Sequence, residues 1–292
     1  MSGSATRSTA EIEVGLAAPE QGPRVLAPFG RRRCRVTSND SAGAYRLIAA
    51  EDPDGPVPLP GQFYMLAAAE GWGEGTTQRP YLARAFSVCR VRNGRRDFLL
   101  DDIGPGTHRL ARLEPGEDLW LTGPLGIGFS PPEAVKPGAA GAVLVGGGIG
   151  IAPLVIWAEA LTDAGTPART LLGFRSREHC DAADLFGDGV ETATDDGSAG
   201  HHGLVTDLLA QELDSSPARV VYACGPPQML EAVRELCAER SVPAELAMEE
   251  AMACGFGACY ACVVKTRDGY RRLCVDGPVI RGSDLDETWL HD

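Results

Sequence analysis

Three cysteines fall within nine positions of the stretch MACGFGACYACVVKT, residues 252 to 266, and a fourth follows after eleven intervening residues. Cys254, Cys259, Cys262 and Cys274 thus read C-x4-C-x2-C-x11-C, the plant-type spacing of thiolates that hold a [2Fe-2S] cluster. A loop that wraps two irons brings three thiolates from one side and takes the fourth from a separate turn. Gly255 and Gly257 suit such a loop, because residues without a side chain accept positive φ and let backbone N–H groups approach the sulfurs. Two competing readings of the same thiols stay open at this point. A structural zinc takes four such ligands but favours two tightly spaced pairs. Two disulfides need an oxidising compartment. Cys34, Cys89, Cys180, Cys224 and Cys237 are scattered, and most of them read as small buried hydrophobes.

A second kind of chemistry is written in glycines. VLVGGGIGIAPL sets Gly146, Gly147, Gly148 and Gly150 between an apolar run and a helical pattern, where bare N–H groups and a helix dipole can hold a pyrophosphate. The spacing is not the strict G-x-G-x-x-G, and a ligand-free strand-to-helix turn uses similar residues. YACGPPQML adds weight, since Cys224, Gly225 and Pro226 end another strand at the same inferred sheet edge. Upstream, ARAFSV carries Arg84 and Ser87, and DDIGPGTHRL carries Gly106 and Thr107. Arg84 can neutralise one phosphate while the Gly106–Thr107 turn donates to another. Taken singly, these are a strand-end arginine and a plain turn.

The elements that must position these residues differ in texture. From Cys34 to about Phe129, short alternating runs such as CRVTSN, AYRLIAA and EDLWLTG are separated by PLPGQ, RNGRR and LEPGE, the pattern of an antiparallel barrel or sandwich. Beyond it, apolar strands alternate with amphipathic helices, which implies a doubly wound, mainly parallel sheet. The segment after Pro243 is too short and too rich in glycine and cysteine for a large core, so a bound cluster or metal is expected to hold it.

Composition excludes other classes. With a formal net charge of -13 and no basic run beyond Arg31, Arg32 and Arg33, nucleic acid is not an expected partner. Those three arginines read as a solvated strand edge. The first residues lack the apolar core and cleavage site of a secretory signal and read as a disordered leader. Pro137 to Ala158 is free of charge for nearly the length of a membrane span, but its glycines and Pro153 favour a strand, a turn and a buried helix start. No membrane association and a cytoplasmic location are expected.

In order along the chain, R-x-F-S, GPGT, GGGIG-x-A-P, CGP-x-x-M and the terminal cysteine set resemble the ferredoxin reductase superfamily, and within it the electron-transfer subunits of NAD-dependent, class 1B, dihydroorotate dehydrogenase. The likeness extends over PGQF at 60 to 63, GPLGIGF at 123 to 129, TDDGSAGHHGLVTDLL at 194 to 209 and MEEAMACGFGACYAC. It implies a leader over residues 1–30, an FAD-binding antiparallel β-barrel over 31–132, an NAD-binding α/β domain over 138–242 and a [2Fe-2S] module over 243–292. Carried over by position, Arg84, Ala85, Phe86, Ser87, Leu99, Leu100, Asp101, Gly106 and Thr107 are the expected flavin contacts. Ala85 replaces a common proline and Asp101 a frequent basic residue. The resemblance further implies NAD(H) as electron source or sink and a heterotetramer with a separate, FMN-containing catalytic subunit. Relays of the same design serve hydrogenases, ferredoxin-NADP transhydrogenases and other dehydrogenases, and a non-catalytic, zinc-stapled module is the reading from a different class. Arg175 and Arg177, after LLGF, are placed to meet a 2′-phosphate or to stand solvated.

Overall fold

The alternating segments between Arg32 and Leu125 close on themselves. A computed structural model of the chain describes residues 30–73, 80–215 and 219–290; the leader read over 1–30 lies, apart from Gly30, outside the described residues. Strands β1 (Arg32–Ala42), β2 (Tyr45–Glu51), β3 (Phe63–Ala68), β4 (Arg84–Arg92), β5 (Arg95–Leu100) and β6 (Asp118–Leu125) form a closed barrel in the order β1-β2-β5-β4-β3-β6. Alternate residues fill it: Ile48, Leu66, Val88, Phe98, Leu100 and Leu119 are each fully buried inside. Asn93 and Gly94, both at positive φ, make the tight β4–β5 turn, whose hand matches the twist of the strands it joins. One expectation fails here. Arg32 is not solvated, because its Nε and one terminal nitrogen reach the buried Asp52 carboxylate at 2.8 Å, whereas Arg33 and Arg35 lie outside on Asp118.

Apolar β-runs followed by helices build the second sheet. Its strands are β7 (Ala142–Gly147), β8 (Ala168–Phe174), β9 (Val190–Thr194), β10 (His201–His202), β11 (Val220–Cys224) and β12 (Ala244–Ala247). Along the edge-to-edge order β10-β9-β8-β7-β11-β12 every neighbouring pair is parallel. The strand order turns back at β7, so the carboxyl ends of β7 and β11 lie side by side at the switch point where such sheets open a crevice. The charge-free stretch noted above is β7 followed by the helix Ala152–Asp163, and no helix among the described residues is long and apolar enough to cross a membrane. That helix also fastens the two sheets together: Ile156 enters the barrel cluster and Glu159 accepts from Arg90 at 2.6 Å.

The cysteine-rich tail corrects a second expectation. Its hairpin, β13 (Val263–Thr266) and β14 (Gly269–Arg272), is small, but β15 (Val279–Arg281) joins the large sheet antiparallel to β12, pairing Leu246 with Ile280. Val264, Leu273, Ile280, Leu285 and Trp289 are buried in one cluster with Val221, Leu230 and Leu246 of the nucleotide-type sheet. Apolar burial therefore does hold the tail; it borrows a core instead of building one.

Candidate functional site

Two cavities and a thiol loop meet where the barrel, the sheet and the tail come together. The larger cavity, 460 Å³, opens over the switch point. Gly147, Gly148, Gly150, Gly225 and Pro226 line it. A β-carbon on Gly150 would lie 2.6 Å from both Cα and N of Gly225, and one on Gly225 would lie 3.0 Å from the Gly147 nitrogen. The turns after β7 and β11 interlock through glycine because nothing larger fits, and this leaves bare backbone facing the cavity. Gly146 does not line it; its missing side chain makes room for Ile151 and Leu172.

Cys224 ends β11 below the cavity. Burial pushes its thiol well above the usual range, and its Sγ donates to Glu249 Oε1 at 3.8 Å. Glu249 is exposed along the cleft, yet its carboxyl sits deep enough that burial pushes it up as well. Reading the sequence did not single out Glu249, nor Tyr45, which reaches the same cavity from β2 with its hydroxyl pushed up to about 12 by burial. Glu249 lies in the MEEAMACGFGACYAC stretch without a role read for it there, Tyr45 in no motif, and only the packing of barrel on sheet brings both to the cavity. Arg175 lines the cavity and sits 3.7 Å from Asp101 across it, while Arg177 is turned away onto the Ser198 carbonyl.

The second cavity, 210 Å³, shares Asp101, Ile149 and Glu249 with the first. Ala85, Phe86, Ser87, Leu99, Asp101 and Thr107 line it on the barrel side. Leu100 points the other way, fully buried inside the barrel, because successive strand residues face opposite sides. Arg84 lies over Gly106, where a β-carbon would meet its Nε at 2.8 Å, so the two candidate phosphate binders are adjacent in space. The Thr107 hydroxyl tightens that turn, accepting from the Gly104 N–H at 2.9 Å. The chain segments around Met248 and Met252, quoted above only for their likeness and their cysteines, supply an apolar wall.

The thiol loop abuts this cavity. Gly255 and Gly257 hold φ of 77° and 84°, and a β-carbon on Gly255 would strike Met65 Cγ at 2.7 Å. Met65 is the cross-strand partner of Ala85, so the loop lies one strand away from the cavity wall. Cys262 and Cys274 are buried and Cys259 is exposed. Burial pushes the Cys254 thiol up, but N–H groups of Phe256, Cys259 and Ala258 together with the Cys259 thiol outweigh it and bring Cys254 down to about 6. Burial and the neighbouring Cys262 and Cys254 thiols push Cys274 up to about 12, against the Gly257 N–H. Among the described residues no three metal-ligating side chains converge on one ion position. Four soft thiols gathered among backbone donors fit a diiron centre, in which four thiolates serve two metals. All nine cysteines are free thiols.

The model of the iron-sulfur cluster binding domain of dihydroorotate dehydrogenase B matches residues 249–286, and the oxidoreductase NAD-binding domain matches residues 144–235. The electron transfer subunit of dihydroorotate dehydrogenase B (NAD(+)) from Bacillus caldolyticus is 40% identical over 88% of this chain and 99% of its own length. Its counterpart from Clostridium acetobutylicum is 37% identical over 77% of this chain and 85% of its own. Among solved structures, a chain from the NADH-dependent reduced ferredoxin-NADP oxidoreductase superposes with a TM-score of 0.74 at 27% identity, covering 88% of this chain and 90% of that one. A ferredoxin NADP+ reductase from Neisseria gonorrhoeae with bound FAD and NADP shares the fold at a TM-score of 0.58 and 18% identity, covering 76% of this chain and 93% of that one.

Proposed function

Because the chain belongs to the family of electron transfer subunits of dihydroorotate dehydrogenase B, we propose that it relays electrons between NAD(H) and a separate catalytic subunit by way of FAD and a [2Fe-2S] cluster. The observation that carries this reading is the shared wall. One cavity is bounded on one side by the nucleotide crevice, through Asp101, Ile149 and Glu249, and on the other by the strand on which the thiol loop rests.

When bound, the flavin supplies exchange between two-electron hydride transfer and single-electron steps, and the cluster supplies a one-electron outlet. The residues divide the remaining work. Gly147, Gly150 and Gly225 offer backbone to a pyrophosphate that any side chain would exclude. Arg84 and the Gly106 turn meet the charge of the flavin's phosphates, and Ala85 to Ser87 and Leu99 face its ring. Met248 and Met252 keep water from the face nearer the thiols. The four cysteines hold the irons in a loop whose glycines give the sulfurs N–H partners, an arrangement that raises the potential above that of a bare thiolate site. With Arg175 beside Asp101, Arg177 on the Ser198 carbonyl and Asp195 on the cavity wall, the site favours NADH over its 2′-phosphorylated form.

The barrel, the sheet and the tail account for the described chain, so oxidation of dihydroorotate falls to the partner, which carries its own FMN and forms a cytoplasmic heterotetramer with this subunit. The purified chain is expected to contain flavin and iron and to accept electrons from NADH. Without the partner it does not reduce NAD+ with dihydroorotate. Catalysis by the isolated chain would refute this division of labour. The mass and flavin content of the co-purified complex test the assembly.

A further inference from the structure

A third cavity, 250 Å³, lies away from the relay, between the helix Pro227–Glu239, β12 and the tail. Three guanidiniums line it, each from a different segment: Arg234 from the helix, Arg267 from the β13–β14 turn and Arg281 from β15. No carboxylate lines it, in a chain whose formal net charge is -13. Several surface arginines are met by acids, as Arg240 is by Asp214 and Arg271 by Asp284. Arg234 is likewise engaged, by Glu231 at 2.6 Å. Arg267 and Arg281 are different, since among the described residues neither guanidinium makes a hydrogen bond or an ion pair. Glu245, the cross-strand partner of Arg281, feels its field but spends its hydrogen bond on the Ser130 N–H. Ser283 adds a hydroxyl held by only one long bond, 3.3 Å to Asp284. The opposite wall is apolar, made by Val135, Val242 and Pro243.

We propose that this cavity is a binding site for a small phosphate monoester, with Arg267 and Arg281 on the phosphate and the organic group against Val135, Val242 and Pro243. Two guanidiniums without a hydrogen-bonded acid call for a dianion; a monocarboxylate would leave one charge unmatched, whereas a phosphate monoester near neutral pH carries close to two charges and three acceptor oxygens. The apolar wall has no use for a bare ion. Because Arg267 and Arg281 belong to the tail and Val242 and Pro243 to the segment entering β12, the bound ligand ties the cluster-bearing module to the nucleotide-type sheet. The site is independent of the relay described above.

The test is calorimetric titration of the flavin- and iron-loaded full-length chain with phenyl phosphate, inorganic phosphate and benzoate, the nucleotide crevice being filled with NAD+. Phenyl phosphate is expected to bind more tightly than the other two, and its affinity to fall about tenfold or more in each of Arg267→Gln and Arg281→Gln. Arg267 stands on an exposed turn, so Arg267→Gln is the variant that keeps its fold, which flavin and iron content and NADH-driven flavin reduction verify. Phenyl phosphate is also expected to raise the melting temperature of the unsubstituted chain and not of the double variant. Undetectable binding, or unchanged affinity in both variants, overturns the proposal. Inorganic phosphate binding as tightly as phenyl phosphate overturns it too, by removing any role for the apolar wall.

Discussion

Gly150 shows how much of the nucleotide crevice rests on single atoms. A β-carbon there would lie 2.6 Å from the Gly225 backbone, so Gly150→Ala must push the two turns apart or tilt the helix that follows. Overpacking of this kind costs about 1–3 kcal/mol, and here it falls on the turns that hold the nucleotide, so KM for NADH is expected to rise about tenfold or more. Flavin content should be unchanged, because the barrel contacts are untouched; stopped-flow reduction of the bound flavin separates the two. Glu245 makes a different prediction. Burial holds its carboxyl above the ordinary value of 4.5, against the Ser130 N–H bond and the field of Arg281. The protonated form is therefore favoured by the fold, so the stability this residue contributes is full below 4.5 and is lost as pH rises through its raised folded value. Glu245→Gln keeps a carbonyl oxygen for Ser130 and removes the titration. Melting curves should show the variant gaining on the unsubstituted chain with rising pH, and a constant difference across that range would contradict the argument.

At the scale of elements, the tail is the informative case. Composition said that it could not build a core, and that is so, since β13 and β14 cover little on their own. What composition did not reveal is that β15 would extend the large sheet and that Leu285 and Trp289 would enter the cluster formed by Val221 and Leu230. Nothing local distinguishes VIR as an edge strand of a distant sheet; three residues carry too little periodicity, and the pairing with β12 depends on the whole domain being formed. Leu285 is fully buried, so Leu285→Ala is expected to cost about 2–5 kcal/mol, most of it in the docking of the tail. Iron content should fall and the melting transition should lose cooperativity while bound FAD persists. Retention of iron at full occupancy would mean that the cluster alone holds the module.

Taken whole, the molecule places three sites in a row, and their order predicts how it fails. Cys274→Ser removes one of the four thiols and leaves the barrel and both cavities intact. NADH should still reduce the flavin at an unchanged rate, while the EPR signal of the reduced cluster disappears and transfer to the catalytic partner drops to background. Loss of flavin reduction as well would show that the tail shapes the flavin site and not only the outlet. Much of this plan is legible in the chain alone. The cysteine spacing, the glycines after β7 and the R-x-F-S and GPGT segments are local signals, because thiolate geometry and close backbone approach demand particular residue types at short range. The alternation of apolar residues likewise determined an antiparallel barrel or sandwich followed by a doubly wound sheet, and closure into a barrel was left to the tertiary structure. Glu249, Tyr45, the buried Arg32–Asp52 pair and the arginine-lined cavity were decided only by the tertiary structure. Each is made of residues far apart in sequence, ordinary in type, whose chemistry arises from burial and from neighbours that packing alone supplies.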